Sequence, residues 1–195
     1  MNMKSELEIC VKCLDTKEEI ISKLLKLGFD VKEEFTLKDT YYVKNDIEVA
    51  LTNSKNLFSS YVLIRETKKG ISFVLKNKQL DSNGNIINQS SCKCPILDKD
   101  KGDTFIKNLG YKELLKINDH NYLLSNGKNE LYVQDVEGLG VYIEMEQKNI
   151  YSDNNNDNDI NEMISILNSY NLNIKNDNFF AKKSLDMLEQ MINES

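Results

Sequence analysis

The sequence predicts an α+β domain with antiparallel strand pairing. Three patterns lead there: short segments in which apolar and charged residues alternate, Asn-Gly pairs set between such segments, and a few segments with helical apolar spacing. About eight strand-like and four helix-like segments occur, ordered strand, helix, several strands, helix, several strands, then two helices. Several strands carry charge on one face and apolar side chains on the other, and amphipathic helices need an apolar surface to cover. The charged faces then form either an open solvated sheet or the lining of a closed one, and periodicity alone leaves both open.

Ser5 to Cys13 alternates strictly, with Leu7, Ile9, Val11 and Cys13 on one face and Glu6, Glu8, Cys10 and Lys12 on the other. It reads as a strand. Thr16 and Glu19 form a capping box for a helix carrying Ile20, Ile21, Leu24 and Leu27, and Gly28 supplies its stop. Extended segments follow at Phe35 to Val43, Ser60 to Glu66, Ile71 to Lys78 and Ile87 to Ile96, with Asn83-Gly84 as a turn between the last two. A short helix with Phe105, Ile106 and Leu109 on its apolar stripe precedes Gly110. Asn126-Gly127 turns a hairpin between NYLLS and NELYVQDV. Gly140 to Gln147 alternates again, with Tyr142, Glu144 and Glu146 opposite Val141, Ile143 and Met145. Residues 152–159, containing DNNNDND, have little to bury and predict a flexible loop. Helical segments near Ile160 to Tyr170 and Phe180 to Ile192 close the chain.

A length of 195 residues suits one domain, 1–195, and 40% apolar content suits a soluble globular core. The net charge of -6 gives no overall support for nucleic-acid binding. No apolar run approaches the roughly 20 residues of a membrane helix, and the first residues lack the apolar core of a signal peptide. A cytoplasmic protein is expected, with Cys10, Cys13, Cys92 and Cys94 reduced. Abundant Asn, Lys and Ile with a single proline fit AT-rich codon usage, as in many bacteria.

Glu6-x-Glu8 and Glu144-x-Glu146 each place two carboxylates on one strand face, about 7 Å apart. Hard divalent ions take such oxygens, and Mg²⁺ is commonly held by one or two carboxylates together with substrate phosphate. Taken singly, such pairs are also what solvent-facing edge strands carry. Arg65, Lys76, Lys78 and Lys116 lie on other strands, and Lys12 shares a face with the first Glu pair. Several such cations converging on one phosphate chain would each contribute roughly 1.5–3 kcal/mol, whereas scattered lysines serve solubility.

Taken in order, ELEICVK, DTYY, LIRE, VLK and DVEGLGVYIEME resemble the CYTH family, which includes class IV adenylate cyclases and inorganic or thiamine triphosphatases. The resemblance spans nearly the whole chain. Its most specific part is Asp135 to Glu146, and Lys183-Ser184-Leu185 with Leu188 resembles the family's closing helix. The resemblance implies an eight-stranded antiparallel β-barrel, a triphosphate tunnel with helices packed outside. It also implies Mg²⁺ or Mn²⁺ as cofactor and a triphosphate-containing small molecule (nucleotide, thiamine triphosphate or tripolyphosphate) as ligand. Carried over by position, Glu6, Glu8, Glu144 and Glu146 would hold metal. Arg65, Lys76, Lys116 and Lys183 would hold phosphate.

The chain departs from the family's pattern at Cys10, which stands where Glu-x-Glu-x-Lys has lysine, at Leu63 in an Arg-x-Arg pair, and at Asn118 in a Lys-x-Arg pair. Lys12 could take the place of the missing lysine only if the phosphate or strand shifts by about 7 Å. Cys92 and Cys94 fall where active relatives carry a Glu-x-Glu pattern. If Cys10, Cys92, Cys94 and His120 share one lumen, they offer thiolates and imidazole to Zn²⁺, with a spacing unlike standard zinc signatures. Two functions remain open: a metal-dependent phosphohydrolase or adenylate cyclase-like enzyme, or a non-catalytic module that binds a phosphorylated ligand or a protein partner.

Overall fold

The computed structural model describes residues 6–80, 86–148, 156–175 and 182–194. Strand β1 (Glu6–Lys12) is followed by helix α1 (Lys17–Lys26) and the long β2 (Asp30–Lys44). A 3-10 turn at Leu51–Asn53 leads into the short α2 (Ser54–Ser59), then β3 (Ser60–Thr67), β4 (Gly70–Leu80) and β5 (Ile86–Ile96). Helix α3 (Lys99–Asn108) precedes β6 (Tyr111–Ser125), β7 (Glu130–Val136) and β8 (Gly140–Lys148), and α4 (Asn156–Ser169) and α5 (Lys182–Asn193) end the chain.

All eight strands form one sheet in the order β1-β8-β7-β6-β2-β3-β4-β5, and every pairing is antiparallel. The sheet curls until its two edge strands, β1 and β5, approach each other, but among the described residues no backbone ladder joins them. The expected barrel is therefore a curled sheet with a seam. A side-chain bond crosses that seam, from Gln89 Nε2 on β5 to Glu8 Oε2 on β1 at 3.1 Å.

Alternation decides which face each side chain takes. Ile9 and Val11 of β1 and Val141, Ile143 and Met145 of β8 point outward into a core that α1 and α4 cover with Ile20, Leu24, Met163 and Leu167. A second cluster, with Leu57 and Phe58 of α2 and Leu188 of α5, packs on Tyr41, Tyr61, Ile117 and Tyr142. Ile106 of α3 joins Tyr42 and Ile64 in a third. Helix α2 escapes sequence reading because six residues are too few to display a 3.6-residue period.

The local signals act as expected at α1. Glu19 N–H donates to Thr16 Oγ1 at 3.3 Å, while Glu19 Oε2 accepts from the Thr16 N–H at 2.9 Å. Thr16→Ala should cost about 1 kcal/mol, read as a lowered midpoint in urea unfolding. Gly127 takes φ +82° in the β6–β7 turn, where Asn126 Oδ1 accepts from the Lys128 and Asn129 N–H groups. The Asn83-Gly84 turn lies outside the described residues. Of the stretch 152–159 read as a flexible loop, residues 156–159 begin α4, where Asn and Asp suit a helix N-terminus, and 152–155 lie outside the described residues. Among the described residues no helix is long and apolar enough to cross a membrane.

Candidate functional site: a channel inside the curled sheet

The inner face of the sheet encloses a channel of about 520 Å³. Its walls differ in charge. Glu8 of β1 and Glu144 and Glu146 of β8 form its acidic part, and Arg65 of β3 and Lys76 and Lys78 of β4 its basic part, the two meeting where Glu8 approaches Lys76. Helix α5 adds Lys183 and Ser184. The same alternation that sends Ile143 and Met145 outward turns Glu144 and Glu146 inward.

Most of these groups engage one another. Glu8 Oε2 lies 4.0 Å from Lys76 Nζ, and Gln134 Nε2 donates to Glu144 Oε2 at 3.2 Å. Arg65 forks onto Asp39 through Nε at 2.8 Å and through a terminal nitrogen at 2.6 Å. Lys183 Nζ donates to Asp119 Oδ2 at 2.9 Å, and Asn121 Nδ2 donates to Asp119 Oδ1 at 2.7 Å. Gln89, Asn121 and Gln134 thus each give their NH₂ to a carboxylate, which fixes the amide orientation. Their buried oxygens, Gln89 Oε1, Asn121 Oδ1 and Gln134 Oε1, have no hydrogen-bond partner among the described residues. Such acceptors are costly to bury unmet.

Burial pushes the Glu8 carboxyl up, but Lys76 and Lys78, with the Gln89 amide, more than cancel this and hold it at about 2. Burial, then the neighbouring charge of Glu8, pushes Glu144 the other way, above the usual carboxylate range. Lys78 is lowered by burial, whereas Lys76 and Lys183 rise because Glu8, Asp119 and Glu144 outweigh their desolvation. Burial also raises the Cys10 thiol well above its ordinary value, which favours the protonated form.

The pH consequence follows from the signs. Glu8 is depressed from 4.5 to about 2, so its contribution to stability is full above pH 4.5 and vanishes as pH falls toward 2. The stability gap between wild type and Glu8→Gln in urea unfolding should therefore shrink across that window. Glu144, being raised, contributes oppositely and gains from acidification.

The structure brings together Glu8, Glu144, Glu146, Arg65, Lys76 and Lys183. The Glu6 side chain lies outside the described part. Lys12 leaves the channel: its ammonium lies 3.6 Å from Asp186 and over the Tyr142 ring, on the far side of α5. Lys116 sits one residue off the inward register of β6, exposed and paired with Glu113 at 3.0 Å, while Asp119 and Asn121 face in. Cys10 lines the channel, but Cys92 and Cys94 are exposed opposite Leu75 and Phe73, and Ser91 and Lys93 take the inward positions. His120 pairs with Glu34 at 2.8 Å and is not among the residues lining the channel. The zinc grouping is thereby dissolved: strand parity places only one of its four members inside.

Sequence reading missed Asp39, Asp119, Asn121, Gln89 and Gln134. Asp39 had a signal, since it shares a strand face with Tyr41 and stands directly opposite Arg65. The amides had none, because a lone Gln or Asn on a strand looks like any surface residue.

One cluster fits a divalent ion. One carboxylate oxygen from each of Glu8, Glu144 and Glu146 lies within 4.8 Å of the others. Ligand oxygens at about 2.1 Å from a shared Mg²⁺ lie no more than about 4.2 Å apart, so small side-chain rotations suffice.

Among curated proteins, "Putative adenylate cyclase MJ0240" of Methanocaldococcus jannaschii is 31% identical over 183 residues, covering 93% of this chain and 97% of that protein. The chain belongs to the CYTH superfamily. No protein-family model matches it. Among solved structures, the PH1819 protein of Pyrococcus horikoshii has a TM-score of 0.69 at 19% identity, over 97% of this chain and 99% of that one. HpAC1 from Hippeastrum, for which a dominant triphosphatase activity is described, has a TM-score of 0.50 at 11% identity, over 92% and 94%. These likenesses to solved structures concern the fold.

Proposed function

We propose that this CYTH protein is a metal-dependent phosphohydrolase acting on a triphosphate-containing small molecule in the channel. The observation that carries this is the meeting of two charged groups in one channel of about 520 Å³: three carboxylates within 4.8 Å of one another, and the cations Arg65, Lys76 and Lys78, with Lys76 4.0 Å from Glu8. The triphosphatase activity described for HpAC1 supports it, and the name of the M. jannaschii relative keeps cyclisation of a nucleotide as the neighbouring chemistry.

Glu8, Glu144 and Glu146 would hold Mg²⁺ or Mn²⁺, which when bound supplies charge neutralisation for the phosphate oxygens. Lys76, Lys78 and Arg65 hold the phosphate chain beside the carboxylates, and Lys183 reaches it from α5. Fixed donors of this kind act on the charge that develops as the P–O bond to the leaving phosphate breaks and the bond to water forms. Burial excludes bulk water and strengthens each contact.

Two contacts favour a second reading, a binding module without turnover. Arg65 and Lys183 are already neutralised by Asp39 and Asp119, which leaves fewer uncommitted cations for a tight transition-state grip. One panel separates the readings: phosphate, pyrophosphate and cyclic nucleotide release from ATP, tripolyphosphate and thiamine triphosphate with Mg²⁺ or Mn²⁺. Phosphate release supports the hydrolase and cyclic nucleotide the cyclase. Thermal stabilisation by one ligand without turnover supports the module, and no stabilisation by any removes both readings.

A further inference from the structure

Free cysteine is among the residues most often buried, where it acts as a small hydrophobe. Cys10 and Cys13 follow that rule, at 4% and 6% exposure, but Cys92 and Cys94 are both exposed. They occupy successive outward positions of β5, facing Leu75 and Phe73 across the β4–β5 ladder, while Lys93 between them and Ser91 beside them turn to the channel. The two thiols thus sit on the back of the channel wall, apart from the carboxylates and cations inside it. Their cross-strand neighbours are apolar: Leu75 is 38% exposed, and the Phe73 ring lies 6.3 Å from that of Phe105 on α3. Pro95 keeps the preceding Cys94 extended, because its ring disfavours the helical region for that residue. Among the described residues no third His, Cys, Asp or Glu ligand atom gathers with the two thiols, the channel carboxylates being the one such group of three or more.

We infer that Cys92 and Cys94 form a two-thiolate site on the outer face of β5 for one soft monovalent cation of the Cu⁺ class. Residues two apart on a strand stand about 7 Å from each other, at the limit of what a disulfide spans. Direct S–S closure would therefore buckle a strand that Pro95 and the ladder to β4 keep extended. Two sulfurs leaning toward each other from that spacing instead take one ion between them, each thiol releasing its proton to solvent as its sulfur becomes a ligand. Ligand chemistry chooses the ion. Thiolates are soft donors and suit Cu⁺, which is content with two of them in line, whereas a structural Zn²⁺ site asks for four ligands and Mg²⁺ for oxygens. The site shares no residue with the channel ligands and is independent of the phosphate reading.

Anaerobic titration of the reduced whole protein with Cu⁺, buffered by bicinchoninate, tests this, with Ag⁺ as a probe that does not change oxidation state. One ion per chain is expected, with thiolate-to-copper charge-transfer absorption in the near ultraviolet. Cys92→Ser and Cys94→Ser should each weaken binding at least about a hundredfold, since one sulfur cannot hold the ion in line, and Zn²⁺ should bind wild type at least about a hundredfold more weakly than Cu⁺ does. Both positions are exposed, so the variants should keep the wild-type far-UV spectrum. Alkylation of the native protein at its exposed thiols, mapped by mass spectrometry, should abolish binding in the same way without any substitution. Tight Cu⁺ binding that survives alkylation or the Cys92→Ser, Cys94→Ser double variant would place the ion elsewhere and overturn the inference. One ion per two chains would make the thiols a bridge between copies, and Zn²⁺ bound as tightly as Cu⁺ would contradict two-coordination; either result overturns the single-chain site.

Discussion

Replacing Glu144 by Gln should lower triphosphate turnover with Mg²⁺ by at least about a hundredfold, the scale of losing one preorganised charge contact to the reacting phosphates. Glu144 is central to the three-carboxylate cluster and shares Gln134 with the neighbouring strand. Gln keeps the side-chain size and can still bond Gln134, so the fold should persist with an unchanged far-UV spectrum. The loss should appear mainly as a raised Mg²⁺ requirement, because the amide is a poorer ligand for a hard cation than the carboxylate. A steady-state titration of metal at saturating substrate reads this directly. Activity within about threefold of wild type at every metal concentration would remove Glu144 from the metal cluster.

Arg65→Ala should destabilise the protein by about 3 kcal/mol, toward the lower end of the range for breaking a buried ion pair. Asp39 is almost completely buried, with 6% side-chain exposure, and would lose a two-pronged partner; Arg65 itself keeps 21%, which softens the effect. Urea unfolding of Arg65→Ala, Asp39→Asn and the double variant closes a cycle. The account expects a coupling above about 1 kcal/mol, because the double variant removes the stranded charge as well as the bond. Ligand binding should also weaken in Arg65→Ala, since this guanidinium faces the channel.

Much of the fold was legible because its signals are local. The alternation at Glu6 to Lys12 and Gly140 to Lys148, the Thr16–Glu19 box and the Asn126-Gly127 turn each act within a few residues, and each appears in the structure close to where it is expected. Closure of the sheet was not legible, because whether β1 and β5 share a ladder depends on curvature summed over eight strands. The site was half legible. Glu8 and Glu144 could be placed by parity, but one irregularity between Tyr41 and Tyr42 in the β2–β6 register accompanies the failure at Lys116, where the inward positions fall to Asp119 and Asn121 instead. Lys12 failed for a different reason. Its strand parity is right, yet α5 crosses between it and the channel, and a crossing helix leaves no trace in the strand's own sequence.

That same helix answers what stands beside Cys10. The thiol is buried in the channel with Lys183 near it, a cation carried by α5 rather than by the strand. A tunnel with its cations redistributed in this way should still need both walls at once. Titration of tripolyphosphate into the protein with and without Mg²⁺ tests this most directly. The account predicts that Mg²⁺ tightens binding at least tenfold, and that tripolyphosphate tightens Mg²⁺ binding by the same factor, as linkage requires. Binding that ignores Mg²⁺, or no binding at all, would contradict it.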